Sequence, residues 1–433
     1  MQEEKRKQWK IIIVGGGASG MMAAISSART LGKGNKILLL EKNELLGKKL
    51  LATGNGRCNF MNIYCAASDL KGKEEDGIYS DEKKIEQFFS HGALSQLSVE
   101  ETRQLFFQMG ILSRVEGEGR VYPYSGQGIV IKEALEAEIK RLGVCIRSSS
   151  NVQNVKKQKD SFEVEMDNGE CLFSSNVILA TGGKAGLQYG STGDGFAFAK
   201  SFGHQIMKPI PALVQLLCDK KSFGGCKGVR AKGKVSLLRE NKVLATDIGE
   251  IQFTEEGVSG ICVFNISRYV RFDKLEDRLE EKYSVEIDLF PEWSKDELFT
   301  ILTEKQKREG KEAIDSLLKG MIHEKLGAAL LNRVEIKKEE IASMIAASKM
   351  EELSHLMKHW NIKINGTKSF KDAQVTCGGI STSEINPTTM ESLLVPGLFF
   401  AGELIDIDGR CGGYNLQWAW SSGYGAGKAA SKE

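Results

Sequence analysis

The chain has 433 residues, 41% of them hydrophobic, enough to build two or three domains around sizeable cores. A formal net charge of +2 excludes a protein-wide basic field, so nucleic acid is neither demanded nor ruled out and any RNA contact rests on local patches. Nine cysteines with no signal peptide ahead of them argue against a disulfide framework and for a reducing, cytoplasmic setting, and no apolar run is long enough for membrane insertion.

The first element, Lys10 to Glu41, reads as a strand, a glycine turn, a helix and a second strand ending in a carboxylate. This is the layout of a dinucleotide cradle. Gly15 permits the tight turn, Gly17 lets the backbone approach a pyrophosphate, and Gly20 lets helix and strand pack closely. Ala18 and Ser19 open the helix, whose free N–H groups favour phosphate. Glu41 stands roughly 20 residues beyond the glycines, where a carboxylate meets a ribose hydroxyl, with Lys42 beside it. A lone GxGxxG is weak evidence, but the apolar run Ile11 to Val14 and the helix formers of Ala18 to Leu31 supply the right context.

Leu45 to Asn62 (LLGKKLLATGNGRCNFMN) is too rich in Gly and Asn for a regular element and reads as a functional loop, the bland alternative being a flexible surface loop. Gly47, Gly54 and Gly56 allow close backbone approach, with Asn55 between the last two as a further cofactor-side candidate. Lys48, Lys49 and Arg57 bring positive charge, with Cys58 and Asn59 following. Asp81 to Gly110 is predicted helical, Arg120 to Gly128 a turn and Ile129 to Leu142 an amphipathic helix. Short strands are predicted at Val144–Arg147, Ser150–Lys157 and Phe162–Met166. Asn176 to Gly183 (NVILATGG) is then an apolar strand ending in a second glycine turn at Ala180, Thr181 and Gly182.

From about Asp194 β-prone alternation predicts strands around Ala212–Cys218, Lys234–Arg239 and Ile251–Thr254. A basic cluster, Lys220, Lys221, Lys227, Arg230, Lys232 and Lys234, reads either as a phosphate contact or as a lysine-guarded strand edge. Beyond Pro291 the pattern turns helical, with Ser294 and Glu297 fitting a capping box and amphipathic segments at Lys311–Leu331 and Glu339–Trp360. His355 and His359 share a helical face at i, i+4, the simplest reading being a solvated surface pair, and no metal site is predicted. The chain returns to glycine-rich sequence at Val375–Ser381, a strand at Gly397–Ala401 and Gly402–Gly427. Gly412, Gly413, Tyr414, Asn415 and Leu416 open a final helix whose free N–H groups and dipole favour negative charge. Trp418 and Trp420 read as core.

GGGASG, NVILATGG and GLFFAGE recur in the order of a glutathione-reductase-type FAD domain interrupted by an insert. With GKKLLATGNGRCN, GRVYPYS, GEIQFTEEGVSG and GELIDIDGRCGGYNLQWAWSSG, the chain resembles the BaiN/RdsA family of NAD(P)/FAD-dependent oxidoreductases over nearly its whole length, least from about Arg271 to Lys368. The resemblance implies an α/β fold: an FAD-binding Rossmann domain (1–193 and 368–433), a β-rich insert (194–290) and a helical subdomain (291–367). Gly402 and Glu403 resemble the Gly-acid motif at the FAD ribityl chain, with Glu where Asp is usual.

The resemblance also implies FAD as cofactor, with NADH or NADPH as reductant; no second GxGxxG follows a good strand, so no dedicated NAD(P) domain is visible, and the absence of CxxC argues against a disulfide reductase. Family activities include reduction of 3-oxo-Δ4,6 bile-acid intermediates, dihydrouridine formation in ribosomal RNA and aminoacetone oxidation. The near-neutral charge favours a small steroid enone over RNA. Tyr122, Tyr124 and Tyr414 are candidate proton donors, whereas Cys58 and Cys411 read as inert thiols or, less simply, donors. The remaining alternative is a flavin-binding redox sensor without catalysis.

Overall fold

The computed structural model describes residues 8–65, 91–272, 279 and 282–432. It divides into two compact units, one formed by residues 1–210 and 375–433, the other by 211–374. In the first unit, β1 (Gln8–Val14), α1 (Ala18–Leu31) and β2 (Ile37–Leu40) form the expected βαβ turn. There follow β3 (Met61–Asn62), α2 (Val99–Gln108), β4 (Ser113–Val115) and β5 (Arg120–Pro123). The segment read as a turn from Arg120 thus begins as a strand, paired to β4 and β3. Of the helix expected over 81–110, residues 81–90 lie outside the described residues, and the rest yields α2, started by a Ser98/Glu101 capping box. Next come α3 (Ile129–Arg141), β6 (Cys145–Arg147), β7 (Val152–Lys157), β8 (Phe162–Met166), β9 (Cys171–Leu179) and α4 (Asp194–Ser201).

The second unit holds β10 (Leu216–Cys218), β11 (Arg230–Arg239), β12 (Lys242–Phe253), β13 (Gly257–Ser259), α5 (Ile261–Ser267), β14 (Tyr283–Asp288), α6 (Lys295–Glu309), α7 (Ile314–Leu318), α8 (Glu324–Arg333), α9 (Ala347–Lys358) and β15 (Trp360–Thr367). Its six strands close into a barrel in the order β10-β13-β12-β11-β14-β15. Barrel residues Val235, Phe253, Ile287 and Trp360 share one core with helical Leu302, Leu330 and Leu353. The sequence division at 290/291 therefore differs from the observed one: barrel and helices are a single unit, because β15, C-terminal to the helices, closes the barrel. Its strict buried–exposed alternation is the period of a half-buried strand. The division at 193/194 also differs, since Phe196, Phe198 and Ala199 of α4 pack into the first unit's core.

Of the basic cluster in the insert, Lys234 lies where β11 is paired on both sides, whereas Arg230 to Gly233 is paired with β12 alone. The Ser294/Glu297 capping box starts α6 as the sequence predicts.

The chain then completes the first unit with β16 (Val375–Cys377), β17 (Leu398–Phe400) and α10 (Tyr414–Ala430). Its main sheet has the parallel order β6-β2-β1-β9-β17, with β8 and β7 running on as an antiparallel meander from the start of β9. Strand order reverses between β1 and β9. In such sheets ligands bind beyond the carboxyl ends of the strands at that switch point.

Helices α1 and α10 lie parallel and very close. A Cβ on Gly423 would stand 2.3 Å from the Ser19 carbonyl oxygen, and one on Gly427 2.3 Å from that of Ala23. Ser26 and Ser27 of α1 donate to the carbonyls of Tyr424 and Gly427. This register places Ser19 beside Gly423, so α10 starts about 12 Å beyond the start of α1 in the same direction.

Candidate flavin site at the strand ends

Four loops leave the carboxyl ends of adjacent parallel strands and meet. Gly15 follows β1 with φ +107°, and a Cβ there would lie 2.5 Å from the Ala180 carbonyl oxygen at the end of β9. A Cβ on Gly20 would lie 1.8 Å from the Gly15 oxygen, so the turn and helix close only with glycine. Gly17 differs: no heavy atom lies within 4 Å of its Cβ position. It caps α1, where Ala18 and Ser19 start the helix with no side-chain cap and no acid in the first turn.

Beyond β2, Glu41 is buried and accepts the Gly16 N–H at Oε2 (2.8 Å) and both the backbone and side-chain N–H of Asn43 at Oε1 (2.8 and 2.7 Å). Oε1 thus has both lone pairs engaged, while Oε2 retains acceptor capacity for a hydroxyl. Lys42 is held by Thr192 and Asp194, both at 2.5 Å. Beyond β9, Gly182 takes φ +74°, and the buried Thr181 hydroxyl has no hydrogen-bond partner among the described residues.

Beyond β17, Gly402 takes φ +74° and donates its N–H to Ser422 Oγ (3.0 Å), while Trp418 donates to its carbonyl (3.1 Å). Glu403 accepts Lys49 Nζ at Oε2 (2.7 Å) and the Thr376 N–H at Oε1 (2.7 Å). Thr376, fully buried and not singled out by sequence, accepts the N–H groups of Lys184 (2.8 Å) and Ala185 (3.0 Å) through Oγ1. One network thus binds the Lys49 loop, the loop after β9, β16 and the Gly402 turn. The longer Glu in place of Asp spends its carboxylate on this network.

In the Lys49 loop, Gly54 (φ +57°), Asn55 (φ +54°) and Cys58 (φ +57°) adopt left-handed backbone. Asn59 Oδ1 accepts the Val121 N–H, fastening the loop to β5 (3.1 Å). Burial pushes the Cys58 thiol up to about 11, so it is a neutral core thiol. The Arg57 guanidinium lies 4.1 Å over the Tyr122 ring and grips Glu116 (2.5 and 3.1 Å), holding that carboxyl below its usual range. Tyr122 is half-buried and Tyr124 is 61% exposed.

At the start of α10, Gly412 (φ +121°) and Gly413 (φ +98°) turn against β3: a Cβ on Gly413 would be 2.3 Å from the Met61 carbonyl oxygen, and Asn62 donates to the Gly412 carbonyl (2.8 Å). Asn415 closes the preceding loop through Gly409 (2.7 and 2.9 Å). Tyr414 is buried and Leu416 half-buried; Trp418 and Trp420 are core, the latter donating to the Phe60 carbonyl. Cys411 is half-exposed.

These residues fit a dinucleotide carrying a second ring system. The uncapped α1 start and the clear space at Gly17 suit a diphosphate. The parallel start of α10, about 12 Å further on, offers a second uncapped set of N–H groups at the distance of an intervening polyol chain. Among the described residues no group of three His, Cys, Asp or Glu could hold a metal ion, and no helix is long and apolar enough to cross a membrane.

A family model described as the HI0933-like protein Rossmann domain matches residues 9–429. The chain belongs to the HI0933-like family. Within it, the chain is 38% identical to the 3-dehydro-bile acid delta(4,6)-reductase of Clostridium scindens over 423 residues, 98% of this chain and 99% of the relative. It is 27% identical to the ribosomal RNA dihydrouridine synthase of Haemophilus influenzae (98% of each chain) and 28% identical to that of Escherichia coli (96% and 97%). A solved 3-ketosteroid-delta4-(5alpha)-dehydrogenase from Rhodococcus jostii superposes with a TM-score of 0.50 at 14% identity, covering 100% of this chain and 99% of that one, which supports the fold. The architecture is a mixed α/β fold with a Rossmann-type FAD-binding domain.

Proposed function

We propose that this protein is an FAD-dependent, NAD(P)H-using reductase of a C=C bond conjugated to a carbonyl, acting on 3-oxo-Δ4 or Δ4,6 bile-acid (steroid) intermediates in the cytoplasm. The observation that carries this reading is the near-full-length 38% identity to a bile-acid delta(4,6)-reductase. It is laid over a strand-end site whose two parallel helix starts suit FAD. When bound, FAD passes two electrons and a proton, as hydride, from the nicotinamide donor to the enone.

In this reading the α1 start, Gly15 and Gly17 take the diphosphate, and Glu41 accepts a ribose hydroxyl. The Lys49–Glu403–Thr376 network fixes the Gly402 turn under the polyol. The α10 start directs N–H groups at developing negative charge. Of the three tyrosines, Tyr122 is the proton source we favour: its ring lies on the Gly54 loop, 3.5 Å from that glycine's Cβ position, and it keeps partial contact with water.

RNA is the weaker reading. In the insert, Lys227 and Arg230 are matched by Glu255 and Glu250 at exposed positions, which offsets the charge a phosphate track needs. The test is anaerobic: the flavin is reduced chemically, then offered a 3-oxo-Δ4 steroid, unmodified ribosomal RNA or oxygen alone. Rapid reoxidation by the steroid is the expected result. Dihydrouridine in RNA with no response to steroid, or peroxide formation driven by an amine, would replace it.

A further inference from the structure

One face of the small sheet β3-β5-β4 begins at the site described above, at Tyr122 and the Gly412 turn, and runs on past it. Along β5 the side chains of Arg120 and Tyr122 share this face, Arg114 joins it opposite Tyr122, and Tyr124 follows in the turn just past the strand. Arg120 borders the flavin-side turn: its Nε lies 3.7 Å from the Cβ position of Gly412. Next along are Tyr122 with the Arg57 guanidinium over it, then Tyr124 with that of Arg114 at 4.2 Å. Arg114 also donates to the Tyr124 carbonyl (2.5 Å), which ties the guanidinium to that residue. Arg120 and Tyr124 are four residues apart, about 13 Å along the strand.

We infer that this arginine–tyrosine ladder is the docking surface for the dinucleotide reductant, NADH or NADPH, with the adenine on Tyr124 and Arg114 and the phosphates along Arg57 and Arg120. The inference rests on the proposed function above and adds to it the place where the reductant binds. Guanidinium forks match phosphate geometry, and planar guanidinium–aromatic pairs stack a purine. Arg57 spends two of its five N–H groups on Glu116 and keeps the others. Continuity with the Gly412 turn puts one end of the ladder beside the flavin-side helix start. The ladder's length suits a diphosphate flanked by two riboses.

Charge selects this occupant over RNA. Arg57, Arg114 and Arg120 are interleaved with Glu116 and Glu118, the latter paired with Arg120 yet 75% exposed. A net excess of one positive charge suits one diphosphate, whereas a long phosphate backbone would run past both carboxylates.

The test uses the flavin-loaded protein in two half-reactions. Tyr124→Ala and Arg114→Glu are each expected to raise about tenfold the NAD(P)H concentration needed for half-maximal flavin reduction, the effect of losing one side of the base stack. Tyr124→Phe, which keeps the ring, restores it. Reoxidation of chemically reduced flavin by a 3-oxo-Δ4 steroid should match the unsubstituted protein, as should flavin content and melting temperature. Unchanged NAD(P)H dependence in both variants overturns the inference while leaving the reductase reading intact. So does a loss confined to steroid reoxidation, or weaker binding of ribosomal RNA with unaltered NAD(P)H response. If NAD(P)H fails to reduce the unsubstituted protein, the ladder assignment falls, and steroid reoxidation still judges the reductase reading separately.

Discussion

Lys49 and Glu403, 354 positions apart in the chain, meet at 2.7 Å, and the second carboxylate oxygen holds the Thr376 N–H. Both side chains are less than a third exposed, so the pair is only partly screened. Glu403→Gln keeps the shape and removes the charge. It should lower stability by about 1–2 kcal/mol and weaken FAD binding, read as a drop in melting temperature and a rise in the FAD dissociation constant. Glu403→Asp should do no better, because the shorter side chain cannot span Lys49 and Thr376 together. Full FAD affinity in both variants would show that the network does not shape the cofactor site.

The glycines of the first turn separate into two kinds. Gly20→Ala should prevent folding, since its Cβ would stand 1.8 Å from a carbonyl oxygen of the turn. Gly17→Ala meets no protein atom, so the apoprotein should melt within about 1 °C of the parent while FAD affinity falls at least about tenfold, as a methyl enters the space the diphosphate needs. Calorimetry and flavin titration of the two variants check this. A Gly17→Ala protein that binds FAD normally would move the diphosphate elsewhere.

What was legible in the sequence was local. The Gly15–Gly20 turn, the Ser294/Glu297 box and the strand before Ala180 are each written within one or two turns of chain, where spacing alone dictates geometry. Thr376 was not legible: its Oγ1 gains importance only because Lys184 and Ala185, about 190 residues away, point their N–H groups at it. Gly183 carried a usable hint, since its glycine is required by Thr376 Oγ1 lying 2.4 Å from its Cβ position. No strand is predicted at β15: the expected helix ends at its first residue, Trp360, and 361–367 fall in the helical subdomain, although the alternation Trp360, Ile362, Ile364 against Asn361, Lys363, Asn365 is present in the sequence. Lys42 and Asn415 have the residue types of ligand contacts, but Thr192 and Asp194 engage the first and the loop just before α10 engages the second.

Burial, which raises the Cys58 thiol to about 11, predicts the order of cysteine labelling. In native protein at pH 7.5, iodoacetamide should modify exposed Cys171 first and leave Cys58 untouched until the protein unfolds. Mass spectrometry of partly labelled protein reads this directly. Early native-state labelling of Cys58 would mean that the Lys49 loop opens and that the thiol is available to a substrate.

His204 sets an acid limit on stability. Leu394 and Val395 donate to Ser392 Oγ (3.1 and 2.9 Å), so the Ser392 hydroxyl gives its own proton to His204 Nε2 (2.8 Å), and Nδ1–H points at Glu384 (3.1 Å). This arrangement requires the neutral ring. Burial lowers the folded pKa below 6.5, outweighing the opposing pull of Glu384. The unfolded chain therefore binds more protons, and the stability contribution is full above pH 6.5 and lost as pH falls from there toward the folded pKa. Glu138, held down to about 2 by Arg141 and Arg29, has its own window, with its contribution lost as pH falls from 4.5 toward 2. Denaturant midpoints measured from pH 7.5 to 4 should decline in the upper window for the parent protein. His204→Gln should begin less stable and flatten that decline, while the fall below 4.5 persists. An unchanged slope between pH 6.5 and 5 in His204→Gln would assign the acid sensitivity to other groups.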